Sequence, residues 1–426
     1  MRLAFLCGSL EPGRDGVGDY TRRLAGELIR QGHPSIILAL NDKYKPEAGS
    51  EKAEGRRQKG ELDEGGEGRQ RNFHLPSSIS HLLETQRSEG TNVECLRLPG
   101  ALGWTERVEL ARQWLEDFNP DWVSLQYVCY GYHPKGLAWR WNRLFAELGS
   151  MARHRHLMFH ELWIDPPPWH RQLLGMVQQW IIHNLHRHFR PDIVTTSMTS
   201  FQQRLSRIGI MARVLPLFGN IPIASHNDER IHELLREAGC KLVQQPRNTF
   251  LNGIFFGTVH PNFNVAPLIR WLAELRSRTS RPVLLSMIGR GGPGAEVLAK
   301  QLVSALPDAV EVVSLGEQPE ATISQVLQFA DFGINTGSPE FLGKSGTFAA
   351  MREHGLPVVL ADGELDSIDL QSSVPPVLQF SNNNSVSVFL RSVCLSKVTV
   401  GAAPTLANLI QIFEKVVIGP RQTVHP

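Results

Sequence analysis

Arg2-Leu-Ala-Phe-Leu-Cys7 is followed by Gly8-Ser-Leu-Glu-Pro-Gly13-Arg-Asp-Gly16-Val-Gly18-Asp19-Tyr20, and then by Thr21 to Gly32. The first run is apolar and reads as a strand. The second is glycine-rich and reads as a loop. The third reads as an amphipathic helix: Val17, Tyr20, Leu24 and Leu28 recur at helical spacing, with Ala25 and Ile29 beside them. Gly32 stands where a helix stop is expected. Glycines let a backbone approach a ligand closely, and a helix N-terminus attracts anions such as phosphate. The chain therefore opens as a nucleotide-type α/β unit. Gly18 is followed by Asp19-Tyr20-Thr21, which departs from G-x-G-x-x-G and weakens a dinucleotide reading. An ordinary βα turn without a ligand fits the loop equally well.

Length and composition bound the rest. At 426 residues the chain exceeds one ordinary core, and two domains of roughly 200 residues fit it. The formal charge is +2, which gives no reason to expect nucleic acid as a partner. Cysteines stand at 7, 95, 129, 240 and 394 with no C-x-x-C pair, so neither a zinc site nor a redox dithiol is indicated. Free thiols in a reducing compartment are the simplest account. The N-terminal run lacks the pattern of a signal peptide, and no apolar run reaches the length of a membrane span. A cytoplasmic protein is expected.

Apolar runs alternate with helical patterns along the first half. Strands are expected over 2–7, 35–40, 93–98, 122–127, 156–161, 192–197 and 213–218, with a helix such as Thr105 to Phe118 between them. This alternation predicts a parallel sheet covered on both faces. Lys43 to Arg71 is rich in charge and glycine and nearly free of apolar residues, and reads as a disordered insertion. Pro216-Leu-Phe-Gly219-Asn-Ile-Pro222 reads as a linker. Alternation then restarts. Strands are expected at 250–259, 282–288, 310–315, 332–335 and 357–361, and helices at 266–276, 294–305, 320–329 and 346–354. The fold class is α/β, with two Rossmann-like domains facing a cleft. The boundaries read 1–218 and 219–400, with a helix in 401–426 expected to pack back on the first domain.

Five pieces then carry a resemblance: Gly16-Val-Gly18-Asp-Tyr; Asp121-Trp-Val-Ser-Leu-Gln126-Tyr; Phe159-His160-Glu161; Ile254-Phe-Phe-Gly257; and Phe329-Ala-Asp331-Phe-Gly-Ile-Asn335 onward through Glu340 to Gly355-Leu-Pro357-Val-Val359. In order and spacing they resemble the GT-B glycosyltransferases, specifically the retaining nucleotide-sugar enzymes of family four. The resemblance implies a nucleotide-sugar donor held by the second domain. It implies a glycan, lipid-linked or small-molecule acceptor held by the first, and neither metal nor cofactor. It implies roles for His160 and Glu340 at the donor's sugar, and for Gly16, Gly18, Asp19 and Gly257 in substrate binding.

The sequence also departs from that family. An Arg and a Lys usually follow the first strand of the second domain, whereas here the loop is Gly257-Thr-Val-His260-Pro-Asn262-Phe-Asn264. Arg290, in Gly289-Arg-Gly-Gly-Pro-Gly294, and Lys344, in Gly343-Lys-Ser345-Gly346-Thr347, could supply the charge from glycine-bearing loops. A second glutamate usually grips the ribose. Its place falls on Phe348 or Ala350, depending on the anchor, and Glu353 is a substitute unless it is a solvated surface residue. A GT-B-shaped protein that binds a sugar nucleotide or a partner without transfer is the alternative these departures keep open.

Other residues are weighed more simply. Glu161 is as well read as a solvated carboxylate. His183, His186 and His188 have no i, i+4 pair and do not suggest a metal site. Leu173, Val177, Trp180, Ile181 and Leu185 form a stripe on the helix Trp169 to Phe189, expected to be core, with peripheral membrane association as the minority reading. Trp139, Trp141, Trp163 and Trp169 are candidates for sugar stacking, with packing the better expectation for each.

Overall fold

The computed structural model describes residues 1–45, 81–164, 169–260, 262–361, 376–380, 382, 384–393 and 403–418. Beyond residue 45, the insertion expected at Lys43–Arg71 lies outside the described residues. Two compact units divide the chain: residues 1–195 with 205–212, and residues 196–204 with 213–426.

The first sheet contains β1 (Leu3–Cys7), β2 (Ser35–Asp42), β3 (Leu83–Ser88), β4 (Thr91–Pro99), β5 (Trp122–Tyr127), β6 (His154–Phe159), β7 (Ile193–Thr196) and β8 (Arg213–Val214). Its order is β3-β4-β2-β1-β5-β6-β7-β8. Helices α1 (Gly16–Arg30), α2 (Trp104–Phe118), α3 (Cys129–Tyr132), α4 (Trp141–Ser150), α5 (Trp169–Phe189) and α6 (Thr199–Ser206) alternate with the strands. All five residues of β1 are buried, so both faces of the sheet are covered there. Its parallel register sets Phe5 beside Ile37 on β2 and Ser124 on β5.

Helix α1 buries Tyr20, Leu24, Ala25 and Leu28. Complete burial of one leucine contributes about 1.5–3 kcal/mol. The helix ends where the sequence places its stop. Gly32 has φ +84°, and the His33 N–H reaches back to the Leu28 carbonyl.

Four local readings change. Helix α1 starts at Gly16, not Thr21, because Asp15 caps it. The strand expected at 213–218 is only Arg213–Val214. Strand β3, Leu-Glu-Thr-Gln-Arg-Ser, pairs antiparallel with β4 at the sheet edge, where a polar sequence suffices. On α5, Ile181 and Leu185 are buried as expected of core residues, whereas Leu173, Val177 and Trp180 are exposed.

The second sheet contains β9 (Leu251–Thr258), β10 (Val283–Gly291), β11 (Val310–Gly316), β12 (Phe332–Asn335), β13 (Val358–Leu360) and β14 (Val377–Gln379), in the order β11-β10-β9-β12-β13-β14. Its pairs are parallel. Helices α7 (Asp228–Glu237), α8 (Val265–Thr279), α9 (Gly294–Ala305), α10 (Glu320–Phe329), α11 (Gly346–Glu353), α12 (Ser385–Val393) and α13 (Ala403–Ile418) accompany it. Successive residues of β9 feed opposite cores. Ile254 joins Leu284 and Val358 on one side, and Phe255 joins Leu285 and Phe332 on the other.

Candidate functional site

From β9 the chain of the second unit moves outward to β10 and β11, then returns to place β12 on the other side of β9. Parallel sheets open a crevice at such a reversal, beyond the strand C-termini. A cavity of ≈ 230 Å³ lies there. Phe255–His260 from the end of β9 line it, as do Ile334–Ser338 from the end of β12. Phe341, Leu342, Ser345 and Thr347 complete the wall.

Three backbone segments converge on this cavity, and glycine permits it. Gly257 has φ +94°, and a Cβ there would stand 2.9 Å from the Thr347 Cγ2 atom. Gly289, at φ +105°, would put a Cβ 3.1 Å from the Gly257 Cα. Helix α11 starts at the same wall. Its Ser345 hydroxyl accepts from the Phe348 N–H at 3.2 Å and lies 3.1 Å from the Thr347 hydroxyl. The N–H groups of Gly346 and Thr347 fall in the first turn, where helices make no internal bond.

Gly257, Ser345 and Thr347 therefore line the cavity, and His260, Thr258, Thr336 and Ser338 join them. Sequence reasoning gave no role to these last four. For Thr336 and Ser338 the signal is a hydroxyl-rich turn, Thr336-Gly-Ser338, directly after an apolar strand. Glu340 and Gly343 lie on the 3-10 turn Pro339–Lys344, and the Glu340 side chain is exposed outside the lining. Lys344 is also outside it, with its Nζ 4.9 Å from the centre of the Phe341 ring that does line it. Arg290 is turned to Glu317, at 2.5 Å, in an exposed pair. Lysine and arginine are absent from the described lining.

Glu353 is buried, not solvated. Its Oε1 accepts from the Gly219 N–H at 2.8 Å and ties the 216–222 linker to α11. Ala350 is also fully buried, and a Cβ on Gly219 would stand 2.5 Å from its Cα. The linker thus occupies the space that a longer side chain at 350 would need.

In the first unit, Gly16, Gly18 and Asp19 build the start of α1. The Asp15 carboxylate accepts from the N–H groups of Val17 at 3.0 Å and Gly18 at 2.8 Å. Burial raises its pKa, against the lowering effect of those two bonds. The Asp19 carboxylate accepts from Gly13 N–H at 3.0 Å and from Arg22 at 2.6 Å. A Cβ on Gly18 would lie 2.6 Å from the Ser9 carbonyl oxygen, so this glycine seats the helix against the end of β1.

His160 follows β6 and is buried. Its Nε2 lies 2.8 Å from Gln126 Oε1, its N–H donates to Tyr127 O, and the Tyr20 ring meets it edge-on at 5.0 Å. A buried polar run continues from there. Gln126 Nε2 donates to Ser124 Oγ at 2.7 Å, Ser124 Oγ meets His156 Nδ1 at 2.7 Å, and His156 Nε2 meets Thr195 Oγ1 at 2.8 Å. Thr195 donates onward to the Met158 sulfur. An amide oxygen only accepts, so His160 carries its proton on Nε2 and leaves Nδ1 as an acceptor. Burial pushes the pKa of both histidines down to about 3, from an ordinary 6.5, with His160 adding repulsion at His156. Both are neutral near pH 7.

HepE from Anabaena, in complex with UDP and glucose, is similar over 97% of this chain and 100% of its own, with 16% identity and a TM-score of 0.55. A glycosyltransferase from Rickettsia africae is similar over 98% of this chain and 99% of its own, with 11% identity and a TM-score of 0.51. The fold is GT-B. No family model and no curated protein matches the sequence. Within the GT-B frame, the crevice between β9 and β12 is the topological switch point of the second Rossmann-like unit.

Proposed function

We propose that this chain is a glycosyltransferase that moves a hexosyl group from a nucleoside diphosphate sugar to an acceptor hydroxyl with retention. The acceptor is a glycan, a lipid-linked sugar or a small molecule. The observation that carries the reading is the switch-point cavity in a GT-B fold, lined by Gly257, by the hydroxyl residues Thr258, Thr336, Ser338, Ser345 and Thr347, and by His260. HepE, of the same fold, is in complex with UDP and glucose.

In this reading the diphosphate meets fixed dipoles rather than arginine. Gly346 and Thr347 offer N–H groups at the α11 N-terminus, which favours negative charge. Ser345, Thr347, Thr336 and Ser338 offer hydroxyls. Lys344 supplies positive charge from behind Phe341. As the bond from the sugar C1 to the β-phosphate oxygen breaks, charge grows on that oxygen, and donors already aimed at it lower the barrier. The acceptor oxygen bonds to C1, and its proton passes to the leaving phosphate. His160 has too low a pKa to serve as the base. It can accept a hydrogen bond from a hydroxyl at Nδ1. The family resemblance assigns Glu340 and His160 to the donor's sugar.

A thermal-shift panel of UDP-, GDP-, ADP- and TDP-sugars tests the reading. A ligand at a hundred times its Kd stabilises the native state by about 2.7 kcal/mol. Turnover with the ligand that binds confirms transfer, whereas binding without turnover on any acceptor points to the non-transferring alternative. Calorimetry then separates roles. Glu340→Gln and His160→Ala should lower turnover strongly and leave affinity for the free nucleoside diphosphate nearly unchanged.

A further inference from the structure

The buried polar run of the first unit has a direction, and its far end decides it. Ser124 and Gln126 lie two apart on β5, and His156 and Met158 lie two apart on β6, so the pleat turns each pair to one side of the sheet. The register sets Ser124 beside His156 and Gln126 beside Met158. Thr195, on the neighbouring β7, and His160, just past β6, complete the run, and all six residues are buried.

A thioether sulfur carries no hydrogen and only accepts. Thr195 points its single hydroxyl hydrogen at the Met158 sulfur, at 2.8 Å. Its oxygen therefore accepts from His156 Nε2, 2.8 Å away. His156 is neutral, so a proton on Nε2 leaves Nδ1 bare, and Nδ1 accepts from the Ser124 hydroxyl at 2.7 Å. Ser124 in turn accepts from Gln126 Nε2 at 2.7 Å, which aims Gln126 Oε1 at His160 Nε2.

The reverse direction is nearly as good and ends differently. With the Gln126 amide turned over, every bond between His160 and Thr195 runs backward and Thr195 donates to His156 Nε2. The sulfur then receives no donor, so the reverse run makes four bonds where the observed one makes five. It also puts the His160 proton on Nδ1. One net hydrogen bond favours a state by about three- to tenfold. We infer that Met158, through Thr195, His156, Ser124 and Gln126, fixes the tautomer of His160 and keeps its Nδ1 as the acceptor for a hydroxyl of the donor sugar. Of this run His160 alone meets the sugar, and the other five are positioning residues. The inference rests on the proposed role of His160 in transfer, whereas the tautomer is a property of the unliganded chain.

Nitrogen NMR of isotope-labelled histidine rings in the unliganded full chain tests it. In the wild type, His160 Nδ1 should resonate as a bare, pyridine-type nitrogen and Nε2 as a protonated, pyrrole-type one. Met158→Leu is a swap of near-equal volume that cores tolerate, and it removes the last acceptor. The His160 signals should then move to the average of two equally populated tautomers at little changed Tm. Ser124→Ala cuts the run between Gln126 and His156. Alone it should shift the His160 signals too, which keeps the test open if Met158→Leu is insoluble, and adding Met158→Leu to it should shift them no further. Turnover of the nucleotide sugar should fall about twofold in Met158→Leu, following the competent fraction, with affinity for the free nucleoside diphosphate unchanged. A wild-type His160 protonated on Nδ1 would overturn the inference, as would signals that neither substitution moves. An equal shift from Met158→Leu with and without Ser124 would overturn it as well, since that is a packing effect on the ring. A shift without loss of turnover would remove Nδ1 from the sugar while the run stands. Absence of turnover in the wild type would count against the proposed function alone, because the NMR signals need no substrate.

Discussion

Two glycine-bearing turns in this molecule look alike in sequence and differ in what they do. At the start of α1, Gly16 and Gly18 follow a buried strand, yet the nearby N–H groups of Val17 and Gly18 already hold the Asp15 carboxylate. At the ends of β9 and β10, Gly257 brings backbone up to Thr347 of α11, Gly289 brings β10 up to Gly257, and a cavity of ≈ 230 Å³ remains at the ends of β9 and β12. Glycine spacing reports a close approach of backbone. What approaches it, a neighbouring strand end or a ligand, depends on whether the donors nearby are taken.

The largest expected effect breaks the first turn. Gly18→Val drives a side chain into the Ser9 carbonyl at 2.6 Å. We expect a loss of about 3 kcal/mol or more, seen as a lowered Tm or insoluble protein, since overpacking against backbone has no soft escape. A stable Gly18→Val protein that merely loses activity would return this glycine to the ligand site.

Acid should distinguish the two units next. The folded pKa of His156 and His160 lies below the ordinary 6.5. Above that value both folded and unfolded chains are neutral there, and the full stability is present. As pH falls, the unfolded chain takes up protons that the folded chain refuses, and stability drops toward pH 3. From pH 7 to pH 5.5 the two histidines should together cost about 2.5 kcal/mol in denaturant melts. His156→Gln should shrink that loss by about half relative to its own value at pH 7.

Changes at the second turn should be felt in binding. Gly257→Val meets Thr347 and requires a β-branched residue at φ +94°. Sugar-nucleotide affinity should fall by about ten- to a hundredfold, more than stability at the cavity wall would explain. Lys344→Ala should weaken nucleotide binding about tenfold, as loss of one charged partner does. Arg290→Ala should change it less, because Arg290 is engaged with Glu317. Equal losses for the two would place Arg290 on the phosphates.

The smallest effect is Gly16→Ala. An added Cβ meets no heavy atom within 4 Å. Stability should hold within about 0.5 kcal/mol and activity should be unchanged, since alanine suits a helix better than glycine. A large loss of activity would show that a ligand approaches the first turn after all.

Much of the fold could be read from the sequence because parallel strands buried on both faces are continuous apolar runs. Strand β12 and helices α9 and α10 fall where periodicity puts them. Gly-Val-Gly-Asp looked like loop because the capping bonds of Asp15 are a three-dimensional fact. Strand β3 was missed because its residues alternate too weakly at a polar edge. At the candidate site, Gly257, Ser345 and Thr347 could be found from glycine and hydroxyl spacing. Thr336 and Ser338 needed the sheet order, which sets β12 beside β9. The partners of Glu353 and Arg290 were invisible, since each lies far along the chain or across a turn.

The contact between Gly219 and Ala350 closes one route to a tighter nucleoside site. Position 350 is a place where the family resemblance expects a ribose-gripping glutamate. Here the linker backbone lies against Ala350, and Glu353 bonds the same glycine. Installing Ala350→Glu alone would have to displace the linker and break the bond at Gly219. An engineer who wants tighter nucleoside selection in this chain must therefore redraw residues 216–222 first, or build the ribose contact from another wall.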